Sequence, residues 1–225
     1  MRMKTWYQNN PALLADLKND LAEKYPSLHL YQEEDTYFIR GNFPILDADQ
    51  RRIEEYAIEI KIPDKFPSEV PVVRETANKL PKIADRHFYP SGNACLFILE
   101  ERYKYLPPGT TVMEFIEGPV KSFFVGQTGF TQTGKWIFGE RAHNEDGITD
   151  YYKDIIGTND IYVVLQFVRY LSKYKVKGHW ECYCGSKKRL RNCHFALLLK
   201  TREFIKPSDV ATSILILEKV SKLKN

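Results

Sequence analysis

Residues 87–101, HFYPSGNACLFILEE, contain the most informative features of the first half of the chain. A Pro-Ser-Gly turn leads to Cys95, and an apolar run follows that cysteine directly. The chain has four cysteines, and the other three lie together between residues 182 and 193. On composition alone, a single cysteine is more often a small buried apolar residue than a nucleophile. Cys95 is nevertheless the only thiol left for chemistry, and a lone thiol in an ordered loop with His87 upstream suggests a nucleophile.

The composition is that of a globular protein with a substantial core. The chain has 225 residues, of which 43% are hydrophobic and 13% aromatic, so it has room for one domain and a smaller appendage. No stretch approaches the roughly 18 apolar residues of a membrane helix, and the first residues lack the apolar segment of a signal peptide. Three of the four cysteines are clustered at metal-ligand spacing and do not resemble a disulfide framework, so we expect a reducing, cytoplasmic compartment.

The net charge of +4 is too small to indicate a nucleic-acid-binding protein. Residues 186–191 form a short basic run, but such a run is usually a solvated face. From the charge and the apolar pattern we therefore expect neither nucleic acid nor a membrane among the partners.

The elements predicted for the first half of the chain are one helix and then a meander of strands. An asparagine cap and a proline begin the helix over residues 9–25, and a second proline ends it. Strands are predicted over residues 37–45 and 56–62, the second with strict apolar–polar alternation. A proline marks residues 70–73 as an edge or terminal strand. Residues 81–92 have no clear period and are predicted to form an ordered loop that leads to the cysteine.

A second helix is predicted after residues 107–109, because Thr111 and Glu114 have the spacing of a capping box. The Gly-Pro pair at residues 118–119 should kink or divide this helix. Beyond it the composition shifts to Thr, Gly and Gln, which predicts a domain boundary near residue 130. Three further helices are predicted: residues 148–156, residues 160–172 and a last helix that begins near residues 207–209.

Together these features resemble the ubiquitin-conjugating enzymes, in the bacterial form found in antiphage islands that signal through cyclic oligonucleotides. The likeness rests on the order of elements, on a Phe-Pro…Pro turn at residues 66–71 and on the Tyr-Pro-Ser-Gly-x-x-Cys-Leu pattern of residues 89–96. A Leu-Glu-Glu tail at residues 99–101 completes it, and the resemblance covers roughly residues 10–125. It implies an α+β, UBC-like fold: an N-terminal helix, an antiparallel strand meander, an active-site loop and a C-terminal helix. The catalytic domain would span residues 1–130.

The resemblance also implies an activity. Cys95 would accept the activated C-terminal carbonyl of a protein as a thioester and then pass it to an amine. The implied protein substrate is a ubiquitin-like modifier or a cGAS-like nucleotidyltransferase that makes cyclic nucleotides. The chain has no glycine loop that could cradle a phosphate, so an activating enzyme would be a separate protein.

In this family the oxyanion of the tetrahedral intermediate is stabilised by the asparagine of a His-Pro-Asn tripeptide. The matching residues here are Asp85, Arg86 and His87, so we expect His87 to take the asparagine's role. A neutral imidazole donates one hydrogen bond, and one such donor is worth about 3–4 kcal/mol in other enzymes. The two acidic residues after the apolar run, Glu100 and Glu101, are expected to be solvated.

Two other functional classes remain open from the sequence. The missing asparagine also fits a non-catalytic binding module with the same fold. A cysteine hydrolase would pair Cys95 with His87 or His143, but no predicted helix starts after the cysteine to lower its pKa.

The second part of the chain, residues 131–225, is predicted to be a helical region that holds a metal ion. It contains three cysteines and a histidine with the spacing C-x-C-x8-C-H: Cys182, Cys184, Cys193 and His194. Three sulfurs and one nitrogen are ligands that zinc takes in a tetrahedron, and Gly185 permits the tight turn after the first pair. The pattern resembles the short zinc-binding motif at the C-terminus of the bacterial SecA translocase. We therefore predict a structural zinc site, with free or redox-active cysteines as the alternative and His179 as an alternative ligand.

Overall fold

The computed structural model describes residues 5–137 and 144–223, apart from the side chains of Asn9 and residues 144–146. Two helices open the chain: α1 (Trp6–Asn9) and α2 (Ala12–Lys24). Four strands follow and form one antiparallel sheet in the order β1-β2-β3-β4: β1 (Leu28–Glu33), β2 (Thr36–Leu46), β3 (Arg52–Ile62) and β4 (Val72–Glu75). The mixed architecture predicted from the sequence is therefore confirmed.

Several helical segments come after the sheet. In chain order they are the turns Ala84–Arg86 and Leu99–Glu101, α3 (Arg102–Tyr105), α4 (Val112–Phe115), the π-helical turn Ile116–Val120 and α5 (Lys121–Thr133). The last part of the chain contains α6 (Asn144–Ile156), α7 (Ile161–Leu171), the turn Leu190–Asn192, α8 (Phe195–Arg202) and α9 (Ala211–Leu223). Within the described ranges, no helix has the length and apolar content that a membrane span requires.

The chain divides into two compact units that are not contiguous in sequence. The first unit contains Met1–Phe97 and Lys104–Glu140, and the second contains Ile98–Tyr103 and Arg141–Asn225. Residue 130, near which the domain boundary is predicted, lies inside α5, whose buried residues are Phe123, Phe124, Gly126, Gln127 and Thr128.

The sheet forms where the sequence has a period of two. In β3, Tyr56, Ile58, Ile60 and Ile62 are all buried, as the alternation predicted. No sequence pattern predicts β1, because Leu28 is its only buried residue and the rest of the strand is half-exposed or exposed. Such an edge strand lacks the alternation from which strands are predicted.

Gly41 allows β2 to pass close to the chain segment that leads into β1. Its φ is +141°, and a Cβ atom built there would lie 1.9 Å from the carbonyl oxygen of Ser27. The same carbonyl accepts a hydrogen bond of 3.1 Å from the Asn42 backbone N–H. Glycine is therefore required at this position by sterics.

The capping box predicted at the second helix is present. The Thr111 backbone N–H donates to the Glu114 carboxylate (2.7 Å), and the Glu114 N–H donates to the Thr111 hydroxyl (3.2 Å). The Gly118-Pro119 pair lies in the π-helical turn that separates α4 from α5, as the proline predicted. The apolar side chains of this region are buried in the core of the first unit: Val112, Phe115, Ile116, Val120, Phe123 and Phe124.

The second unit is a helical domain with its own core. Asp160 caps α7, since its carboxylate accepts hydrogen bonds from the backbone N–H groups of Tyr162 (2.9 Å) and Val163 (3.4 Å). The three predicted helices correspond to α6, α7 and α9. The prediction missed α8, because only Leu198 and Thr201 of that helix are buried and its apolar residues do not form one stripe.

Glu100 and Glu101 are buried, with 3% and 7% of their surface exposed, which corrects the prediction that they are solvated. Within the second unit, the Glu100 carboxyl accepts hydrogen bonds from the Tyr152 hydroxyl (3.1 Å) and from the Ser213 hydroxyl. These hydroxyls come from segments 52 and 113 residues away in the chain, so the local sequence could not reveal them.

Candidate functional site: the Cys95 loop and the Cys3His cluster

A tight turn delivers Cys95 to its position beside the sheet. The Gly92 backbone N–H donates to the Tyr89 carbonyl (2.8 Å), and the Tyr89 N–H donates to the Asn93 carbonyl (2.9 Å). Gly92 has a φ of +77°, a conformation that glycine adopts without strain. Antiparallel bridges on either side then join Phe88 to Ala94 and Arg74 of β4 to Asn93. The loop is thus fixed by backbone hydrogen bonds as the sequence predicted.

The backbone amides at the cysteine are already engaged in this loop. The Cys95 N–H donates to the His87 carbonyl (2.7 Å), and the Ala94 N–H donates to the Val73 carbonyl (2.8 Å). Backbone N–H groups next to a nucleophile are a common source of oxyanion stabilisation. Because the N–H groups of Ala94 and Cys95 already donate to backbone carbonyls, an oxyanion formed at Cys95 would need a different hydrogen-bond donor.

The Cys95 thiol is half-buried and has a hydroxyl neighbour. Its Sγ lies 3.2 Å from the Tyr89 hydroxyl oxygen and 3.9 Å from the Phe97 carbonyl oxygen. Burial raises the pKa of the Cys95 thiol, and the hydrogen bond with Tyr89 opposes that rise. The sequence analysis missed Tyr89 as a site residue. Its place in the Tyr-Pro-Ser-Gly turn was the available signal, since the turn folds that residue back toward the cysteine.

His87 contacts Cys95 through the backbone and Trp136 through its ring. It follows the turn Ala84–Arg86 in a left-handed conformation with a φ of +54°. Its imidazole packs edge-on against the indole of Trp136, with 4.5 Å between ring centroids. The oxyanion role of the His87 side chain stays a prediction. The other histidine considered, His143, lies outside the described residues.

Asn93 is a second polar side chain of the loop that the sequence analysis did not select. Its Oδ1 accepts a hydrogen bond of 2.7 Å from the Arg74 guanidinium, which holds the amide plane in place. The NH2 group of this amide is a donor of the chemical type that an oxyanion requires. Asn93 lies two residues before Cys95, so its spacing differs from that of the asparagine in the ubiquitin-conjugating family.

Four side chains of the second unit form a cluster that could hold a metal ion: Cys182, Cys184, Cys193 and His194. Their donor atoms all lie within 4.8 Å of one another. The Cys184 and Cys193 sulfurs are 3.7 Å apart, and His194 Nδ1 is 3.3 Å from the Cys182 sulfur and 3.2 Å from the Cys193 sulfur. His179, the alternative ligand considered, is not part of this group.

The backbone brings these ligands together through a short hairpin and a turn. Glu181 and Arg189 form an antiparallel bridge, and the Cys182 N–H donates to the Lys188 carbonyl (2.9 Å). Gly185 has a φ of +75° and donates its N–H to the Cys182 carbonyl (3.2 Å), so the turn predicted at this glycine is present. Burial raises the pKa of the Cys184 thiol, but hydrogen bonds from Ser186 and its cysteine neighbours lower it to about 6.

The two sites have different chemical capacities. The Cys95 loop holds one half-buried thiol beside the Tyr89 hydroxyl, and a thiol is a potential nucleophile. A cluster of four protein ligands leaves no open position for a substrate or water and suits a structural ion. No protein-family model matches the chain, and no curated protein matches it at a significant level.

Proposed function

We propose that the chain is a ubiquitin-conjugating-like acyl carrier in which Cys95 is the nucleophile. The observation that carries this proposal is the Cys95 loop, where the Tyr89–Gly92 turn fixes the thiol beside β4. The chain order of helix, four-stranded antiparallel meander, loop and helix also supports a UBC-like fold for the first unit.

In the proposed reaction, the Cys95 thiolate attacks the carbonyl carbon at the C-terminus of a protein. A carbon–sulfur bond forms, the leaving group of the activated carbonyl departs, and the product is a thioester. An amine then attacks the same carbon, and the thiolate leaves as the amide forms. Burial raises the pKa of Cys95, so the residue starts as a thiol, and on attack its proton passes to the departing leaving group. In the resting site the Cys95 thiol donates to the Tyr89 hydroxyl. We propose that this hydroxyl turns to donate to the sulfur once the thiolate forms, and so supports the thiolate in both steps.

The amides of Ala94 and Cys95 bond to backbone carbonyls, so we propose that a side chain supplies the oxyanion donor. We propose His87 for this role, with Asn93 as the competing candidate. His87 is proposed because it occupies the position of the asparagine in the family's tripeptide. Asn93 competes because Arg74 holds its side-chain amide in place.

We also propose that the Cys3His cluster binds zinc as a structural ion. With Zn–S bonds of about 2.3 Å, two sulfurs of a tetrahedral site lie about 3.8 Å apart. The Cys184 and Cys193 sulfurs are 3.7 Å apart, which fits this geometry. Thiolate and imidazole ligands favour zinc over calcium or magnesium. When bound, the ion would tie the hairpin at residues 181–189 to the start of α8.

The proposed substrate is a protein with an activated C-terminus, either a ubiquitin-like modifier or a cyclic-nucleotide-forming nucleotidyltransferase. Its activation is assigned to a separate enzyme, and the setting proposed is antiphage defence in the bacterial cytoplasm. These assignments rest on the family resemblance of residues 89–96.

A non-catalytic binding module is the second candidate function. Two observations favour it: the family's asparagine is absent at residue 87, and burial raises the pKa of the Cys95 thiol. A raised thiol pKa lowers the thiolate fraction at neutral pH, which disfavours nucleophilic attack.

A transthiolation assay tests the acyl-carrier proposal. The full chain is mixed with ubiquitin-like proteins carrying a C-terminal thioester to a small thiol, so that no activating enzyme is needed. A non-reducing gel should show an adduct that added thiol removes and that Cys95→Ala does not form. The matched variant Cys95→Ser should form an ester that resists thiol.

The alternatives give different outcomes in the same assay. A chain that forms no adduct with these donors, or with the products of neighbouring genes and ATP, acts as a binding module. Cleavage of an amide-linked modifier identifies a hydrolase.

A further inference from the structure

A dense band of positive charge lies in the second unit, and we call it the basic surface. Between residues 173 and 202 the chain has nine Lys and Arg residues and one acidic residue, Glu181, which gives a net charge of +8. The whole chain carries only +4, so the other residues together carry −4. The basic surface consists of Lys173, Lys175, Lys177, Lys187, Lys188, Arg189, Arg191, Lys200 and Arg202.

Backbone pairing brings two basic segments side by side. The Leu190 N–H donates to the Trp180 carbonyl (2.7 Å), and the Arg191 N–H donates to the Gly178 carbonyl (2.9 Å). A Cβ atom on Gly178 would lie 3.0 Å from the Cβ of Arg191, so the two segments are in close contact. The lysines before Gly178 and the basic residues around Lys188 therefore belong to one surface.

Most of these cationic side chains are exposed to solvent. Eight of the nine, all except the half-buried Arg202, are exposed. Among the residues that the structure describes, none of the nine forms an ion pair with a carboxylate. Like charges held together on a folded surface repel one another, and a bound polyanion relieves that repulsion.

An exposed aromatic side chain lies between the lysines. Tyr174 has 86% of its surface exposed, and its backbone carbonyl accepts a hydrogen bond of 3.1 Å from Arg202. An aromatic ring flanked by Lys173 and Lys175 offers a face on which a base stacks, while the lysines contact phosphates. A membrane surface would instead require an extended stripe of exposed aliphatic side chains, and residues 173–202 expose only two, Ala196 and Leu199 of α8.

We propose that the basic surface binds single-stranded nucleic acid, with its lysines and arginines on the phosphates and Tyr174 stacked on a base. This binding is independent of the proposed acyl transfer at Cys95. It also revises the expectation, drawn from the net charge, that nucleic acid is not a partner. The net charge of the whole chain is small because the strongly basic region is offset by the acidic residues elsewhere in the chain.

Fluorescence anisotropy with the full, metal-loaded chain and a labelled oligouridylate of about 20 nucleotides tests this proposal. Binding should weaken as salt rises, with the logarithm of affinity falling by about 0.7 per phosphate contact for each decade of salt. The triple variant Lys177→Ala, Lys188→Ala, Arg191→Ala should bind at least tenfold more weakly, and its salt slope should be smaller by about 2. Tyr174→Ala should lose about fivefold or more in affinity with an unchanged salt slope.

The matched control removes three exposed lysines of the first unit, Lys18, Lys24 and Lys135, and so changes the net charge equally. The proposal is overturned if this control weakens binding as much as the basic-surface variant does. Binding to phosphatidylserine vesicles without binding to the oligonucleotide would also overturn it. Metal content and thermal unfolding of each variant, measured alongside, show whether a loss of binding reflects a loss of fold.

Discussion

The Tyr152 hydroxyl donates a hydrogen bond of 3.1 Å to the carboxyl group of Glu100, deep in the second unit. Ser213 donates to the same carboxyl oxygen, and only 3% of the Glu100 surface is exposed. Burial raises the pKa of this carboxyl above its ordinary value, while the two hydroxyls partly oppose the rise. The negative charge of Asp209 also raises this pKa, and Asp209 is itself paired with Arg102 at 3.0 Å.

This carboxyl should make the second unit less stable as pH rises. Because the folded-state pKa of Glu100 exceeds the unfolded value, the folded state holds the proton more tightly. The stabilisation that protonated Glu100 gives the folded state is fully present below the unfolded-state pKa and is lost as pH rises through the folded-state pKa. It amounts to about 1.4 kcal/mol for each unit by which the two pKa values differ. Hydrogen exchange of α9 between pH 4 and pH 8 measures it. Glu100→Gln should flatten this dependence, and the exposed control Glu203→Gln should not. An unchanged profile in Glu100→Gln would refute the assignment.

Removal of the Tyr183 hydroxyl should stabilise the second unit. This side chain is 5% exposed, and its hydroxyl has no hydrogen-bond partner among the residues that the structure describes. An unpaired buried hydroxyl costs about 1–3 kcal/mol, so Tyr183→Phe should raise the unfolding free energy by about that amount. The control Tyr170→Phe removes a hydrogen bond of 2.8 Å to the Glu181 carbonyl and should lower the unfolding free energy. Urea unfolding separates the two, and destabilisation by Tyr183→Phe would contradict the prediction.

Loss of one cluster ligand should remove the metal and destabilise the second unit. Structural zinc contributes directly to folding free energy, so we expect Cys182→Ser to lose the ion and more than about 3 kcal/mol of stability. Metal analysis and thermal unfolding, with and without a chelator, measure both effects. Cys95→Ser is the matched control and should retain the metal. Full metal occupancy in Cys182→Ser would show that the cluster is not the site.

Tyr89→Phe should make Cys95 less reactive near neutral pH. The Tyr89 hydroxyl lies 3.2 Å from the sulfur and lowers the pKa of Cys95 against the effect of burial. Its removal should raise the thiol pKa and slow alkylation about fivefold at pH 8, as expected for a hydrogen bond of about 1 kcal/mol. Mass spectrometry of the Cys95 peptide after timed iodoacetamide treatment measures this rate. Tyr31→Phe, in β1, should leave it unchanged, and equal rates in Tyr89→Phe and the wild type would exclude Tyr89 from the site.

His87→Ala should retain the thioester and slow its transfer to an amine by about 100-fold, as loss of one oxyanion donor does in other enzymes. His87 has a φ of +54°, a conformation that asparagine tolerates better than alanine. His87→Asn should therefore restore part of the transfer rate. Single-turnover discharge of the Cys95 thioester onto lysine measures each rate. If Asn93→Ala slows discharge and His87→Ala does not, the oxyanion donor is Asn93.

Local sequence signals predicted much of the fold. The alternation in β3, the capping box of Thr111 and Glu114 and the spacing of the four cluster ligands are all short-range patterns. Each is determined by residues close in sequence, so a single chain is enough to recognise it.

The features that sequence analysis missed depend on residues far apart in the chain. Burial of Glu100 requires hydroxyls 52 and 113 residues away, and β1 is defined by its pairing with β2 more than by its own pattern. Such contacts are set by tertiary structure, which a single sequence does not encode as a local period.

Because Ile98–Tyr103 belongs to the second unit, the chain cannot be divided into its two units at an arbitrary residue. A fragment that ends before residue 141 would keep Glu100 and Arg102 but lose Tyr152, Ser213 and Asp209, their polar partners. Two ionisable side chains would then lose these partners only a few residues after Cys95. No single cut therefore yields both units intact, and truncation experiments on this chain would need a short linker in place of residues 98–103.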